Sequence, residues 1–348
     1  MNNTPLTADE ISLYDRQIRL WGMEAQANLR NSKILVINMT GVGVEIVKNL
    51  TLGGVGSITI CDNSELKEQD LNSNFFVTKE EVGKNKAEAS LEKIQAMNPR
   101  VVVSVDTRNW EDIEKSEISK YHIIVATGLN SAQNSRLNNI SRELAIPLIS
   151  CCTHGLYGLI FNDLIKCTNW IKLERSESRK VGPLNPVSKI LDIQDIVEND
   201  IEMQKILVEN KYRKWDELSG SFLNEKYPSE RKKKKKINNV LISLLGLLEL
   251  PEVYLNLDIE RISIDGNTLK DKITQVSNRL KLPECIQMGE EELDIFRRHA
   301  YCEYQPTNSI IGGVVSQDII NALVHKELPI NNISILDGFN NEMPIYTL

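Results

Sequence analysis

Short apolar runs recur along the first half of the chain, separated by longer amphipathic segments. The runs are KILVIN, SITICD, VVVSVD, HIIVAT and PLISCC, beginning at residues 33, 57, 101, 122 and 147. Each has the length and the β-branched content of a buried strand, and most are followed by a segment with helical periodicity. Strands that alternate with helices form a parallel sheet covered on both faces. The pattern therefore predicts an α/β fold with a doubly wound, mainly parallel sheet.

The alternation of strands and helices ends near Lys166. Residues 166–299 are charged and mostly helical in periodicity, which predicts a largely helical insert. Strong apolar patterning returns in residues 300–348, where the helix NSIIGGVVSQDIINALVH and the strand NISILDG are expected to rejoin the first sheet. The predicted organisation is an α/β unit in residues 1–165, the insert, and a return to the α/β unit.

Composition narrows the class of protein. The chain has 41 basic and 48 acidic residues, and the net charge of −7 disfavours a dedicated nucleic-acid binder. Neither a signal peptide nor an apolar run of about 20 residues is visible, so we expect a soluble intracellular protein without membrane contact.

Cysteines and histidines show no pattern of a metal site. The cysteines form no CxxC pair and are expected to be buried thiols, and the histidines lack ligand spacing, so we expect no metal. The residues concerned are Cys61, Cys151, Cys152, Cys167, Cys285, Cys302, His122, His154, His299 and His325.

The stretch INMTGVGVEI, residues 37–46, lies where a nucleotide-binding fold has its phosphate loop. Glycines let backbone amides reach phosphates, and the following helix N-terminus supplies donors. Read as G-x-G-x-x-G from Gly41, the third position is Ile46, whereas Asp62 ends the second strand where an acid would hold a ribose. The fingerprint is incomplete. A dinucleotide-binding oxidoreductase with a degenerate fingerprint remains an alternative, and it would bind NAD or NADP without a partner chain.

Several separated motifs, in one order, resemble the activating enzymes of ubiquitin-like proteins. They are YDRQIRLWG, LTLGGVGSITICDN, VGKNKAEAS, IIGGVVSQDIINAL and NNISILDG, within about the first 165 and the last 45 residues. The resemblance implies a Rossmann-like adenylation fold of the ThiF/MoeB type. It also implies that residues 166–299 correspond to half of a catalytic-cysteine domain, without the cysteine. Chain length and the YDRQIRLWG context favour SUMO as the ubiquitin-like protein, with NEDD8 as the alternative.

The family resemblance also implies a partner. In these enzymes two related adenylation halves pair, and only one of them uses ATP and magnesium. The larger subunit carries the ATP site and the active cysteine, adenylates the C-terminal glycine of SUMO, and passes the thioester on to the SUMO-conjugating enzyme. This chain resembles the smaller subunit, which has no catalytic cysteine and is inactive alone. IIGGVV is expected to pack either at the subunit interface or in the core.

The family's phosphate loop is altered in this chain. The family pattern G-x-G-G-x-G corresponds to NMTGVG, so the first two glycines are Asn38 and Thr40, while Gly41 and Gly43 remain. The side chains of Asn38 and Thr40 are expected to crowd the phosphates. No acid is present in residues 126–130, where a later magnesium-binding aspartate of the family would fall.

Other ATP-binding positions of the family have also changed. The D-x-D motif keeps Asp62 but has Ser64 in place of its second acid. An asparagine and an arginine that contact ATP correspond to Asp70 and Ser73, and only Lys86 matches the family lysine. We therefore predict that the chain binds no cofactor. A homodimeric bacterial adenylating enzyme of sulfur transfer, which needs these motifs intact, is disfavoured.

Arg16 is the one residue to which the resemblance gives a catalytic role. In the family, the arginine of YDRQ reaches from the inactive half to the ATP phosphates of the partner. A guanidinium suits this role because it stays charged and binds phosphate through two hydrogen bonds. The alternative is a solvated helix residue. Arg19, one turn further on, is expected to form an ion pair.

The run RKKKKK, residues 231–236, has two interpretations. Six consecutive cations are typical of a nuclear import signal, and also of a solvated loop. We expect a nuclear protein with a cytoplasmic fraction.

Overall fold

The structure is a computed structural model, and it describes residues 5–177, 179–198, 200–251, 264–325 and 327–348. The side chain of Cys285 lies outside this description, so its predicted burial stays a prediction. The strands are β1 Lys33–Ile37, β2 Ser57–Cys61, β3 Val102–Asp106, β4 Ile123–Thr127, β5 Leu148–His154, β6 Tyr157–Asp163, β7 Lys166–Glu174, β8 Gly182–Asn185, β9 Ser188–Glu198, β10 Ile201–Lys211, β11 Ile333–Asp337 and β12 Ile345–Tyr346.

The central sheet has eight strands in the order β12-β11-β6-β5-β4-β1-β2-β3. Strands β1 to β5 pair in parallel, and β6, β11 and β12 add an antiparallel edge. The predicted parallel sheet and the return of NISILDG to it are confirmed. Strand β6 was not predicted as a separate element, and it follows β5 through a tight turn. The strand order reverses between β1 and β4, which is where open α/β sheets bind ligands.

Helices cover both faces of this sheet. They are α1 Ala8–Leu13, α2 Asp15–Trp21, α3 Met23–Arg30, α4 Gly41–Gly53, α5 Lys86–Met97, α6 Lys115–Ile118, α7 Ser131–Glu143, α8 Ser221–Lys226, α9 Glu230–Lys236, α10 Val240–Leu248, α11 Gly266–Arg279, α12 Glu290–His299 and α13 Gln305–Val324.

The sequence predicts a helix through ISLYDRQIRLWGMEAQANLR that begins with a capping box at TADE, residues 7–10, and the structure divides this segment into α1, α2 and α3. Its predicted start is confirmed, because Thr7 and Glu10 form a capping box. Gly22 has φ 90°, a left-handed conformation that ends α2 before α3 begins.

The insert is helical only in part, which corrects the expectation for residues 166–211. This segment forms a second, antiparallel sheet in the order β7-β10-β9-β8. Ile190, Ile206 and Val208 are buried on one side of it, and more exposed residues, both charged and apolar, such as Lys189, Leu191 and Lys205, alternate with them. This two-residue period was obscured by the high charge of the segment. Most of residues 215–251 and 264–299 are helical, and the fully buried α10 packs against β6 and β11 of the central sheet.

The IIGGVV stretch, in the first half of α13, lies mostly in the core. Ile311 is fully buried, and Gly312 packs so closely on α4 that a Cβ atom there would lie 2.5 Å from Glu45 Cβ. Ile310, in contrast, is 48% exposed. Core packing therefore accounts for the glycine, and the outer face of the helix stays at the surface.

Candidate functional site

The candidate site is the loop between β1 and α4, at the reversal of strand order. Asn38 has φ 67°, a conformation that asparagine tolerates better than most residues. Its Nδ2 donates to the carbonyl oxygen of Thr127 at 2.9 Å. Thr40 Oγ1 donates to Thr127 Oγ1 at 2.8 Å and accepts from the amide of Gly43 at 3.4 Å, which caps α4. The two residues that stand at family glycine positions thus bind the chain's own β4.

Asp62 is occupied by hydrogen bonds within the loop. One carboxylate oxygen accepts from the amide of Met39 at 2.7 Å. The other accepts from the amide and the hydroxyl of Ser64, at 2.8 and 2.6 Å. Asp62 is also fully buried. It therefore fixes the loop, and neither oxygen is left open toward a ribose.

Lys86 is paired inside the protein. Its Nζ lies 2.9 Å from Asp70 Oδ1, and the two side chains are only 7% and 13% exposed. The other oxygen of Asp70 accepts from the amide of Lys67 at 2.7 Å. The acid that replaces a family asparagine thus neutralises the lysine that the family uses for ATP.

Glu303 is the residue at this site that sequence reasoning missed. Its carboxylate accepts from the amide of Gly41 at 2.8 Å and from the hydroxyl of Ser73. It lies just before α13, 262 residues from Gly41 along the chain. Nothing in the sequence joins the two positions, because only the return of residues 300–348 to the first sheet brings them together. A carboxylate of the chain itself thus lies at the N-terminus of α4.

Two contacts fix the segment that carries Glu303. The amide of Tyr301 donates to Nδ1 of His154 at 3.0 Å, and the amide of Gly155 donates to the carbonyl oxygen of Cys302 at 2.7 Å. Complete burial lowers the pKa of His154 to about 3, so the ring stays neutral and Nδ1 remains an acceptor. The turn between β5 and β6 therefore positions the residue that closes the loop.

Arg16 lies apart from this loop, on the exposed side of α2. Among the described residues it has no hydrogen bond or ion pair, and the exposed side chains of Leu13 and Leu20 are on the same short stretch. Arg19 Nε lies 2.9 Å from Asp15 Oδ2, which confirms the ion pair expected for Arg19. The structure thus does not bring Arg16 together with the residues of the loop.

The remaining residues considered in the sequence analysis are the cysteines and the possible metal ligands. Cys61, Cys151, Cys152 and Cys167 are buried and Cys302 is partly buried. Burial raises the pKa of each of these thiols, to about 12 for Cys61 and Cys152, so the reactive thiolate is disfavoured. Within the described part of the chain, no three His, Cys, Asp or Glu side chains are grouped as metal ligands would be.

The lysine run lies in a helix at the surface. Residues 231–236 belong to helix α9, capped by Ser229, and their side chains are largely exposed. The run is therefore helical and not a loop.

Of the helices that the structure describes, none combines the length and apolarity needed to cross a membrane.

Comparison with known proteins identifies the family of the chain. The model of the ThiF family matches residues 14–348. DNA damage tolerance protein RHC31 of Saccharomyces cerevisiae is 34% identical, over 98% of this chain and 97% of its own length. DNA damage tolerance protein rad31 of Schizosaccharomyces pombe is 30% identical over the full length of both chains. SUMO-activating enzyme subunit 1 of Xenopus laevis is 28% identical, over 96% of this chain and 94% of its own length.

The same fold occurs in a solved structure, the crystal structure of SeMet PaaA. It aligns with a TM-score of 0.53 and 14% identity, covering 98% of this chain and 84% of that one. At this identity the likeness concerns the fold alone.

Proposed function

The chain belongs to the ThiF family, and from that premise we propose that it is the smaller subunit of a heterodimeric SUMO-activating enzyme. The observation that carries the proposal is the closure of its phosphate loop by Glu303, in a chain with full-length relatives named SUMO-activating enzyme subunit 1. A family member that cannot hold its own nucleotide fits the half of the enzyme that assists a catalytic partner.

Electrostatics at the loop oppose nucleotide binding. The carboxylate of Glu303 occupies the amide of Gly41, at which a phosphate would bind, and the lysine of the site is already paired with Asp70. One contact between like charges at 4 Å costs about 4 kcal/mol at an effective dielectric constant of 20. ATP would also have to displace Glu303 from the amide of Gly41. We infer that ATP and magnesium are bound by the partner and not by this chain.

The partner then performs the covalent chemistry. In the proposed reaction the C-terminal carboxylate of SUMO attacks the α-phosphorus of ATP, and pyrophosphate leaves. A cysteine thiolate of the partner next attacks the acyl-adenylate, AMP leaves, and the SUMO-conjugating enzyme receives the thioester. The raised thiol pKa values of the described cysteines support placing the nucleophile on the partner.

In the proposed heterodimer, this chain contributes the guanidinium of Arg16 to the ATP site of the partner. The guanidinium is exposed and has no partner among the described residues, so no ion pair must be broken before it can bind phosphate. It would contact the phosphates of the ATP held by the partner, as an arginine finger does in trans. Such a contact stabilises the charge that develops on the leaving pyrophosphate.

Reconstitution of the heterodimer tests the proposal. The purified chain is combined with a candidate large subunit, and ATP–pyrophosphate exchange is measured with SUMO and, separately, with NEDD8. We expect exchange only when both subunits and SUMO are present. Exchange by this chain alone would refute the assisting role, and exchange with NEDD8 but not with SUMO would assign the chain to the alternative pathway. Tight binding of NAD by the chain alone would favour an oxidoreductase.

We also propose a nuclear location, supported by the exposure of the lysines in α9. A fluorescent fusion of the chain should accumulate in the nucleus. Replacement of all five lysines by glutamine should leave it in the cytoplasm, whereas unchanged accumulation would assign the run to the solvated surface.

A further inference from the structure

The N-terminus of α4 has the properties of an anion site. The helix is 13 residues long, and its first amides have no partner within the helix. Such amides, together with the helix dipole, attract a negatively charged group. The amide of Gly41 points to Oε1 of Glu303 at 2.8 Å, and Ser73 donates its hydroxyl to the other carboxylate oxygen. Both oxygens of the carboxylate are therefore held.

A further donor lies unused beside the carboxylate. Asn308 is fully buried, and its Oδ1 accepts from Thr153 Oγ1 at 2.7 Å. Its Nδ2, however, has no hydrogen-bond partner among the described residues. Buried donors without an acceptor are unfavourable and rare in folded proteins, and a bound water or ion can supply the acceptor.

The geometry around Gly41 locates this donor. A Cβ atom built on Gly41 would lie 2.2 Å from Asn308 Nδ2 and 2.7 Å from Glu303 Oε2. The amide group of Asn308 and the carboxylate of Glu303 therefore converge on the first residue of α4. A tetrahedral oxyanion in place of the carboxylate could accept from Gly41 and Ser73 and also from Asn308, which a planar carboxylate leaves unpaired.

We propose that Glu303 is an internal ligand of an oxyanion site formed by Gly41, Ser73 and Asn308. The carboxylate excludes free oxyanions from the wild-type protein, and its removal opens the site to inorganic phosphate. The inference rests on the proposed function in one respect, namely that the loop holds no ATP of its own. It goes further in assigning the ligand that fills the loop, and in linking residues 300–348 to the first sheet through that ligand.

Thermal unfolding of the full-length chain tests the proposal. Melting temperatures are measured for the wild type, Glu303→Ala and Glu303→Gln in potassium phosphate and in potassium chloride of equal ionic strength. We expect phosphate to raise the melting temperature of Glu303→Ala by about 2 °C or more relative to chloride, because a ligand that binds only the folded state stabilises it. The wild type and Glu303→Gln, in which the site stays filled, should show no such difference.

Two further variants serve as controls. Asp265→Ala removes another carboxylate that caps a helix N-terminus, that of α11, but Asp265 is exposed, and its carboxylate accepts from the amide and the hydroxyl of Thr268. It should be insensitive to phosphate. Adding Asn308→Ala to Glu303→Ala should abolish the phosphate effect. An equal response of Glu303→Ala and the wild type to phosphate would overturn the proposal.

The design separates this inference from the proposed function. If Glu303→Ala is unfolded in chloride, recovery of its far-UV circular dichroism in phosphate supports the site, and failure to recover overturns it. A parallel titration of the wild type with Mg-ATP tests the closed loop by itself. Binding of Mg-ATP would refute the proposed function, whereas no ATP binding and no phosphate response in Glu303→Ala would refute only the internal ligand.

Discussion

The loop at the start of α4 and the surface of α2 both carry residues that the family resemblance predicts to lie near nucleotide phosphates, yet their surroundings differ. At the loop, Asp62, Lys86 and the amide of Gly41 are all bound by other groups of the chain. On α2, Arg16 is exposed and makes no contact of this kind within the described residues. Groups that would serve the chain's own nucleotide are thus satisfied internally, whereas Arg16, which we propose serves a partner's nucleotide, has no such contact in the part of the chain that the structure describes. This difference is what we expect of a subunit that assists catalysis elsewhere.

The largest effect is expected from removing the guanidinium of Arg16. Arg16→Ala in the reconstituted heterodimer should slow SUMO-dependent ATP–pyrophosphate exchange by roughly 10- to 100-fold, or ~1.4 to 2.7 kcal/mol. The loss is smaller than for many arginine fingers because the partner supplies magnesium and its own cations. Arg16→Lys should recover only part of the rate, because an ammonium keeps the charge but loses the planar pair of donors.

Arg19→Ala is the matched control, since Arg19 is a neighbouring exposed arginine that is paired with Asp15. It should exchange at the wild-type rate. Gel filtration checks that each variant still forms the heterodimer. Wild-type exchange by Arg16→Ala in an intact complex would show that Arg16 is only a surface residue of α2.

The next largest effect is expected on stability, from breaking the ion pair between Lys86 and Asp70. Lys86→Met should lower the free energy of unfolding by on the order of 2 kcal/mol, because it leaves the largely buried carboxylate of Asp70 without its cation. Exchange in the heterodimer should not change. Denaturant titration measures the stability, and the double variant with Asp70→Asn should recover part of it. A large loss of exchange with unchanged stability would instead assign Lys86 a catalytic role.

A further effect is the pH dependence of the free energy of unfolding that is caused by His154. His154 has a folded-state pKa of about 3, below its unfolded value near 6.5, so the unfolded chain takes up a proton that the folded chain does not. Its contribution is complete above pH 6.5 and is lost as the pH falls, by about 1.4 kcal/mol per unit. His154→Asn, which can still accept from the amide of Tyr301, should show a shallower decline of stability between pH 7 and 5. Equal slopes in urea titrations would contradict this.

The smallest effect is expected from restoring the two family glycines. Asn38→Gly with Thr40→Gly should cost less than about 1 kcal/mol, because glycine suits the left-handed position 38 and is tolerated at a helix N-cap. Mg-ATP binding should remain undetectable by calorimetry, since Glu303 and Asp70 are still in place. ATP binding by this variant would show that Asn38 and Thr40 alone had closed the loop.

The sequence predicted the parts of the fold whose periodicity is unambiguous. The parallel strands, the helix predicted over VEIVKNLTLGG and the return of NISILDG all follow from apolar runs bounded by clear turn or cap signals, although the structure begins that helix earlier, at Gly41. The strands of residues 166–211 were missed because apolar side chains such as Leu191, Val197 and Ile201 are exposed among the charged ones, which weakens the two-residue period. The sequence predicted the site as a set of positions at which the family's ATP-binding residues are replaced. The structure shows which groups of the chain these residues contact.

Glu303 could not be predicted in the same way. Its role depends on a contact across 262 residues, created when α13 returns to the first sheet and His154 fixes the preceding segment. Local propensity carries no information on such a contact. The position of a glutamate before an apolar helix is equally typical of an exposed N-terminal turn.

The central claim is that the chain keeps its own phosphate loop closed and acts through a partner. Calorimetric titration with Mg-ATP of this chain alone, the large subunit alone, and the heterodimer tests it most directly. We predict no binding heat for this chain and one nucleotide per heterodimer. Saturable, magnesium-dependent binding to this chain alone, or two nucleotides per heterodimer, would contradict the account.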